Sequence, residues 1–183
     1  LIEQQDGPNG EPRFTMLETI REYGLRHLAE RDELEDTRRR HAEWCLAFAQ
    51  DIHSSFAYQQ DAIWRDRLES ELGNLRAALR WHATRDAVED LLALASALFP
   101  LWYHLGRGRE GAAWLLDGLS RSDGVPPEVV LRATMVAAEL IAEQCDHDTA
   151  NQLAERAIVL AREVGDTLAL AESKYLIGKN AQL

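Results

Sequence analysis

The sequence predicts an all-α fold, a superhelix of helix-turn-helix repeats preceded by a short N-terminal β-hairpin. Three observations carry this expectation. The apolar residues are dominated by Leu and Ala, with few Val and Ile, a bias that favours helices over sheets. Apolar residues recur at spacings of three and four over most of the chain. The second half repeats itself about every 39 residues.

Taken in order, Leu1 to Gln5 and Arg13 to Met16 can each extend, and the dense turn chemistry of Asp6-Gly7-Pro8-Asn9-Gly10 joins them into a hairpin. Such a hairpin is marginal alone and needs a neighbour to lean on. From Leu17 to Glu30 the spacing is helical, with Leu17, Ile20, Gly24 and Leu28 on one stripe, a Glu22 to Arg26 pair outside, and a capping box expected from Thr15 and Glu18. A second helix from Leu34 to about His53 should bury His41, Trp44, Cys45, Phe48 and Ile52. A third from Asp61 to Thr84 turns Trp64, Leu68, Leu72, Leu75, Leu79 and His82 inward, with Gly73-Asn74 marking a kink or restart.

Beyond Arg85 the pattern becomes repetitive. Leu91 to Leu105 reads as one helix, Gly106 to Gly108 as a turn and Glu110 to Ser120 as its partner helix. Val125-Pro126-Pro127 breaks and restarts the chain. A second pair spans Glu128 to Gln144 and Asp148 to Val164 around the turn Cys145-Asp146-His147; Gly165-Asp166 closes it before another helix at Thr167. A shift of 39 residues places Gly106 on Cys145, Gly111 on Ala150, Trp114 on Leu153, Gly118 on Ala157 and Leu119 on Ile158. A second shift places Pro127 on Asp166 and Val136 on Tyr175. Small residues fall on small residues, as close stacking of helices requires.

Composition excludes several classes of function. The formal net charge is −11 and the pI about 5.0, so a nucleic-acid duplex repels this surface. The basic run Arg38-Arg39-Arg40 is offset by Glu33, Glu35 and Asp36. Two cysteines, Cys45 and Cys145, are too sparse for a disulfide framework and are expected to be reduced. No run reaches about 18 apolar residues, so no membrane partner is expected and the protein should be cytoplasmic. The chain lacks an initiator Met and stops within a helical pattern at Leu183, so it is expected to be a piece of a larger protein. The resulting apolar end at Leu170, Leu176 and Ile177 would permit a homodimer.

Candidate sites reduce mostly to structure. His41 and Cys45 lie four apart on one helix face, a spacing suited to two zinc ligands, but nearby sequence supplies no others, and core packing is the expected role. Asp146-His147-Asp148 clusters acid and imidazole, with no Ser or Cys nucleophile beside it. Gly106-Arg107-Gly108-Arg109 follows no strand and is a turn, not a phosphate loop. Trp64, Trp81, Trp102, Tyr103 and Trp114 sit mostly at core spacing. No catalytic, metal or cofactor-binding residue is therefore expected in this chain. A repeat array presents its first helices on a concave face, which places His104, Glu143, Tyr175 and Lys179 there as partner-binding residues.

The segment Asp146 to Asp166 resembles the tetratricopeptide repeat: Ala150, Ala154 and Ala157 have the four-then-three spacing of its second-helix small residues, and Ile177-Gly178 looks like its first-helix Leu-Gly pair. The units are longer than the usual repeat. Three upstream stretches, Arg13-Phe14-Thr15-Met16-Leu17-Glu18-Thr19-Ile20-Arg21-Glu22-Tyr23, Arg38-Arg39-Arg40-His41-Ala42-Glu43-Trp44, and Leu68-Glu69-Ser70-Glu71-Leu72-Gly73-Asn74-Leu75-Arg76-Ala77-Ala78-Leu79-Arg80-Trp81, occur in the same order in one family. They resemble the region following the nucleotide-binding domain (NB-ARC/STAND type) of large bacterial LuxR-like and AfsR-like transcriptional regulators.

That resemblance implies three parts: residues 1–33 the end of a winged-helix module, 34–85 a helical linker, and 86–183 tetratricopeptide-like repeats. It implies a non-catalytic regulatory and protein-interaction arm of a signal-responsive, ATP-binding regulator. The partners would be the protein's own nucleotide-binding domain and a protein or small-molecule signal, with ATP or ADP bound outside this chain. The alternative is a freestanding adaptor that holds a peptide or protein partner on its concave face.

Overall fold

The computed structural model of the chain describes residues 2–6, 12–56 and 63–181. Residues 7–10 of the expected turn, the expected helix start at Asp61 and the chain end at Leu183 lie outside the described residues. The fold is all-α behind a two-stranded hairpin. Strands β1 (Ile2–Asp6) and β2 (Pro12–Met16) pair antiparallel, with Ile2 opposite Met16 and Gln4 opposite Phe14. That register puts Ile2, Phe14 and Met16 on one face, and all three are exposed.

Helix α1 (Glu18–Glu30) follows and buries no residue. The expected stripe is only half covered at Ile20, Gly24 and Leu28, and Leu17 is 63% exposed. The expected capping box does not form. Leu17 occupies the N-cap position without a side-chain cap, the Thr15 hydroxyl reaches the Glu3 carbonyl at 3.5 Å, and Glu18 instead accepts from Arg21 Nε at 2.9 Å. The Glu22 to Arg26 pair is likewise absent among the described residues.

Helices α2 (Leu34–Phe56) and α3 (Ile63–Thr84) pack against each other through Ala42, Cys45, Ala49, Ile52, Leu68, Leu75, Ala78 and Leu79, all buried. Trp44 departs from expectation: it is 50% exposed and stacks on Phe48 at 5.3 Å. Helix α3 passes unbroken through Gly73-Asn74, where the Asn74 amide donates to Glu71 Oε2 at 2.6 Å.

The stretch expected as one helix from Leu91 to Leu105 is two, α4 (Val88–Ala97) and α5 (Phe99–His104), broken at Leu98. Pro100 causes the break. It has no N–H to offer the Ser96 carbonyl, and its ring crowds that turn. The break turns Trp102 fully inward, where its Nε1–H donates to the Ala95 carbonyl at 2.8 Å.

Helices α6 (Gly108–Leu119), α7 (Pro127–Ala142), α8 (His147–Val164) and α9 (Thr167–Asn180) then stack in order, each on the one before. Left-handed residues separate them. Gly106 (φ 66°) and Cys145 (φ 63°), register partners at 39 residues, each precede a second helix by two positions. The small positions that superpose, Gly111 on Ala150 and Gly118 on Ala157, are all buried. Gly111 lies against Trp102 and Gly118 against Leu92, so α6 approaches α4 and α5 closely. Asp146 and Asp166 cap α8 and α9, accepting from Thr149 N at 3.2 Å and Ala169 N at 2.9 Å. Gly165 (φ 77°) alone supplies the C-cap of α8. The bidentate Arg76 to Glu110 pair, at 2.7 and 2.6 Å, ties α3 to α6.

Candidate functional site

Helices α7 and α9, expected from the sequence as successive first helices, leave a cleft of about 390 Å³ between them. Helical spacing sets its walls. On α7, Arg132, Met135, Val136 and Glu139 fall at i, i+3, i+4 and i+7; on α9, Glu172, Tyr175, Leu176 and Lys179 do the same. The small side chain of Ala154 on α8 forms part of the floor, and His53 of α2 and Phe99 of α5 complete the lining. The surface inside is mainly apolar, from Phe99, Met135, Val136, Ala138 and Leu176.

Charge is placed unevenly around it. Lys179 Nζ is 3.4 Å from Glu143 Oε1, which also accepts from the Tyr103 hydroxyl at 3.4 Å. Arg132 Nη2 lies 2.5 Å from His53 Nε2. That contact requires His53 to be neutral and accepting, and burial followed by the Arg132 charge holds its pKa below the ordinary imidazole value. The Glu139 carboxylate accepts no hydrogen bond from any described residue, and burial raises its pKa, against the lowering effects of Lys179 and Arg132. Glu172, Glu139 and Glu143 set three carboxylates against the two cations Arg132 and Lys179.

Of the four residues expected on this face, the structure joins Glu143 directly to Lys179 and places Tyr175 and Lys179 in the cleft wall. Val136, the register partner of Tyr175, lines the same cleft. Tyr175 is 74% exposed. His104 sits elsewhere: it ends α5, its ring 5.6 Å from Trp64 and 5.0 Å from Tyr103, with its pKa lowered by burial and by Arg65. Glu143 also borders a second opening of about 770 Å³ at the turns holding Arg107 and Cys145. Sequence reasoning missed Arg132, Met135, Glu139, Glu172 and His53. The signal was present for α7, where Arg132 and Glu139, seven apart, and Glu143 just past the helix end place charges along one side of a mostly apolar helix.

The remaining candidates keep structural roles. His41 Nε2 lies 3.8 Å from Cys45 Sγ, and burial pushes the Cys45 thiol up to about 12, which opposes the thiolate that zinc requires. Among the described residues no group of three or more His, Cys, Asp or Glu is arranged to hold a metal. Asp146 is occupied as a helix cap. Trp102 is fully buried, and Trp64, Trp81, Tyr103 and Trp114 are half-buried around the core. No helix among the described residues is long and apolar enough to cross a membrane.

No family model matches the chain, and no solved structure matches it. Over 181 residues, 94% of the chain, it is 29% identical to proteins named "putative HTH-type transcriptional regulator" from Mycobacterium bovis and from two strains of Mycobacterium tuberculosis, CDC 1551 and H37Rv. The match occupies 20% of each relative, so the chain spans about a fifth of the length of these proteins.

Proposed function

We propose that the chain is the non-catalytic regulatory arm of a signal-responsive, ATP-binding transcriptional regulator. In this reading residues 1–33 end a winged-helix module, 34–85 form a linker, and the stacked pairs from residue 86 onward form a tetratricopeptide-like array. The supporting observation is the similarity to transcriptional regulators along nearly the whole chain, which leaves four fifths of those relatives for other domains. The exposed hairpin face formed by Ile2, Phe14 and Met16 suits a contact with a preceding module. The cleft between α7 and α9 suits a signal or partner.

The mechanism is a population shift. The array biases the regulator toward a resting or an active arrangement, and a ligand shifts that balance only as far as its affinities for the two differ. Nucleotide binds outside this chain, and target recognition belongs to a DNA-binding domain elsewhere in the protein. The direct test measures binding between this chain, supplied separately, and the remainder of its parent loaded with ADP or with a non-hydrolysable ATP analogue. The expected result is an affinity that differs by about fivefold or more between the two states. Equal affinities would mean that the arm does not sense the state of the ATPase.

A further inference from the structure

We propose that the cleft between α7 and α9 binds a small organic cation, a protonated amine carried on a compact apolar or aromatic body. The proposal rests on the regulatory-arm reading for its purpose and deepens it by naming the chemistry of what the arm takes. Its geometry stands separately.

The size and lining favour a small molecule: a cleft of about 390 Å³ with an apolar floor lies in the range of small-ligand sites. His53 and Phe99, contributed by α2 and α5, add walls from outside the helix pair that bounds it. The sign of the ligand follows from which charges are already engaged. Lys179 is drawn to Glu143, and Arg132 donates to His53. The carboxylate of Glu139, half-buried in the wall, has no hydrogen-bonding partner among the described residues, and neither has that of the exposed Glu172 on α9, which lines the same cleft.

A carboxylate taken partly out of water without a partner is costly, and an ammonium group is the complement that would repay it. Burial raises the Glu139 pKa, Lys179 and Arg132 only partly oppose it and Glu143 and Glu172 add to it, so a further positive charge in the cleft would favour the ionised form. Phe99 and the exposed Tyr175 ring border the same space and offer aromatic faces to a cation and its apolar body. Met135 and Leu176 supply the adaptable apolar surface beneath.

The test titrates the 183-residue chain with phenethylammonium, and in parallel with 3-phenylpropionate, which reverses the charge. Binding is followed by calorimetry and by methyl NMR of Met135. Phenethylammonium should bind and shift Met135, while phenylpropionate should not. Glu139→Gln should weaken the amine by about tenfold or more. Glu155→Gln, on the exposed face of α8, should leave it unchanged. Glu139→Gln removes a strained charge and is expected to fold, so loss of binding in that variant reads the site itself. Equal binding of the carboxylate, or full affinity in Glu139→Gln, would overturn the proposal. So would tighter binding of a basic peptide that perturbs residues beyond the cleft, since the occupant would then be a protein segment. Any of these results leaves the affinity comparison between nucleotide states untouched, so the two readings fail separately.

Discussion

At the residue scale, the buried ionisable groups make the most direct predictions. Cys45 is fully buried with its thiol pushed up to about 12, whereas Cys145 is exposed in a left-handed turn. An alkylating reagent at pH 8 should modify one thiol rapidly in the native protein and the second only after denaturation. Two fast equivalents would show that α2 and α3 do not pack as described. His82 is 2% exposed, and burial lowers its pKa more than Asp90, 3.7 Å away and half-exposed, raises it. A depressed imidazole pKa means that the unfolded chain takes up protons first. Stability should therefore be complete above about pH 6.5 and decline as the pH falls below it. His53 acts with the same sign. Urea midpoints between pH 7.5 and 5.5 check this, and His82→Gln should flatten the slope. Glu139 has the opposite sense, since its raised pKa costs stability at neutral pH. Glu139→Gln should raise the melting temperature at pH 7 and leave it nearly unchanged at about pH 4, where the carboxyl is protonated.

At the element scale, the closest helix contacts decide what the array tolerates. A Cβ on Gly111 would lie 2.7 Å from Trp102 Cδ1 and Cδ2, against a buried ring pinned by its hydrogen bond to Ala95. A Cβ on Gly118 would lie 2.6 Å from Leu92 Cδ2 and 3.0 Å from its Cγ, a flexible aliphatic side chain rather than a rigid ring. Gly111→Ala should therefore destabilise by about 1–3 kcal/mol and Gly118→Ala by less, as chemical denaturation would read. The sequence made these positions legible through a register that put Gly111 on Ala150 and Gly118 on Ala157, because the stack demands small residues at fixed intervals. It was misleading where periodicity ran through a breaker. Leu91 to Leu105 keeps a helical apolar pattern, yet Pro100 ends one helix and starts another. Trp44 departs for a different reason: spacing assigns it a face of α2, but whether another element covers that face is a tertiary matter that local pattern does not report.

At the scale of the whole molecule, the all-α stack followed from composition and periodicity, and the candidate cleft only in part. Tyr175 and Lys179 were legible because the 39-residue register maps one first helix onto the next, and Val136 and Tyr175 do line one cleft. His53 and Phe99 were not, because they reach the cleft from α2 and α5, and no local pattern reports which distant helices converge. His104 lies outside the cleft lining, at the end of the separate helix α5 with its ring 5.6 Å from Trp64. In the function proposed above, the array is the part that reads a signal and the remaining domains are the parts that act on it; the similarity itself reaches only to proteins named as transcriptional regulators. The most direct measurement of that claim is reporter transcription driven by the full-length parent regulator, intact or with residues 86–183 removed. The account predicts that removing the array changes basal transcription, the response to signal, or both; if both stay at their intact values, the array is not a regulatory arm.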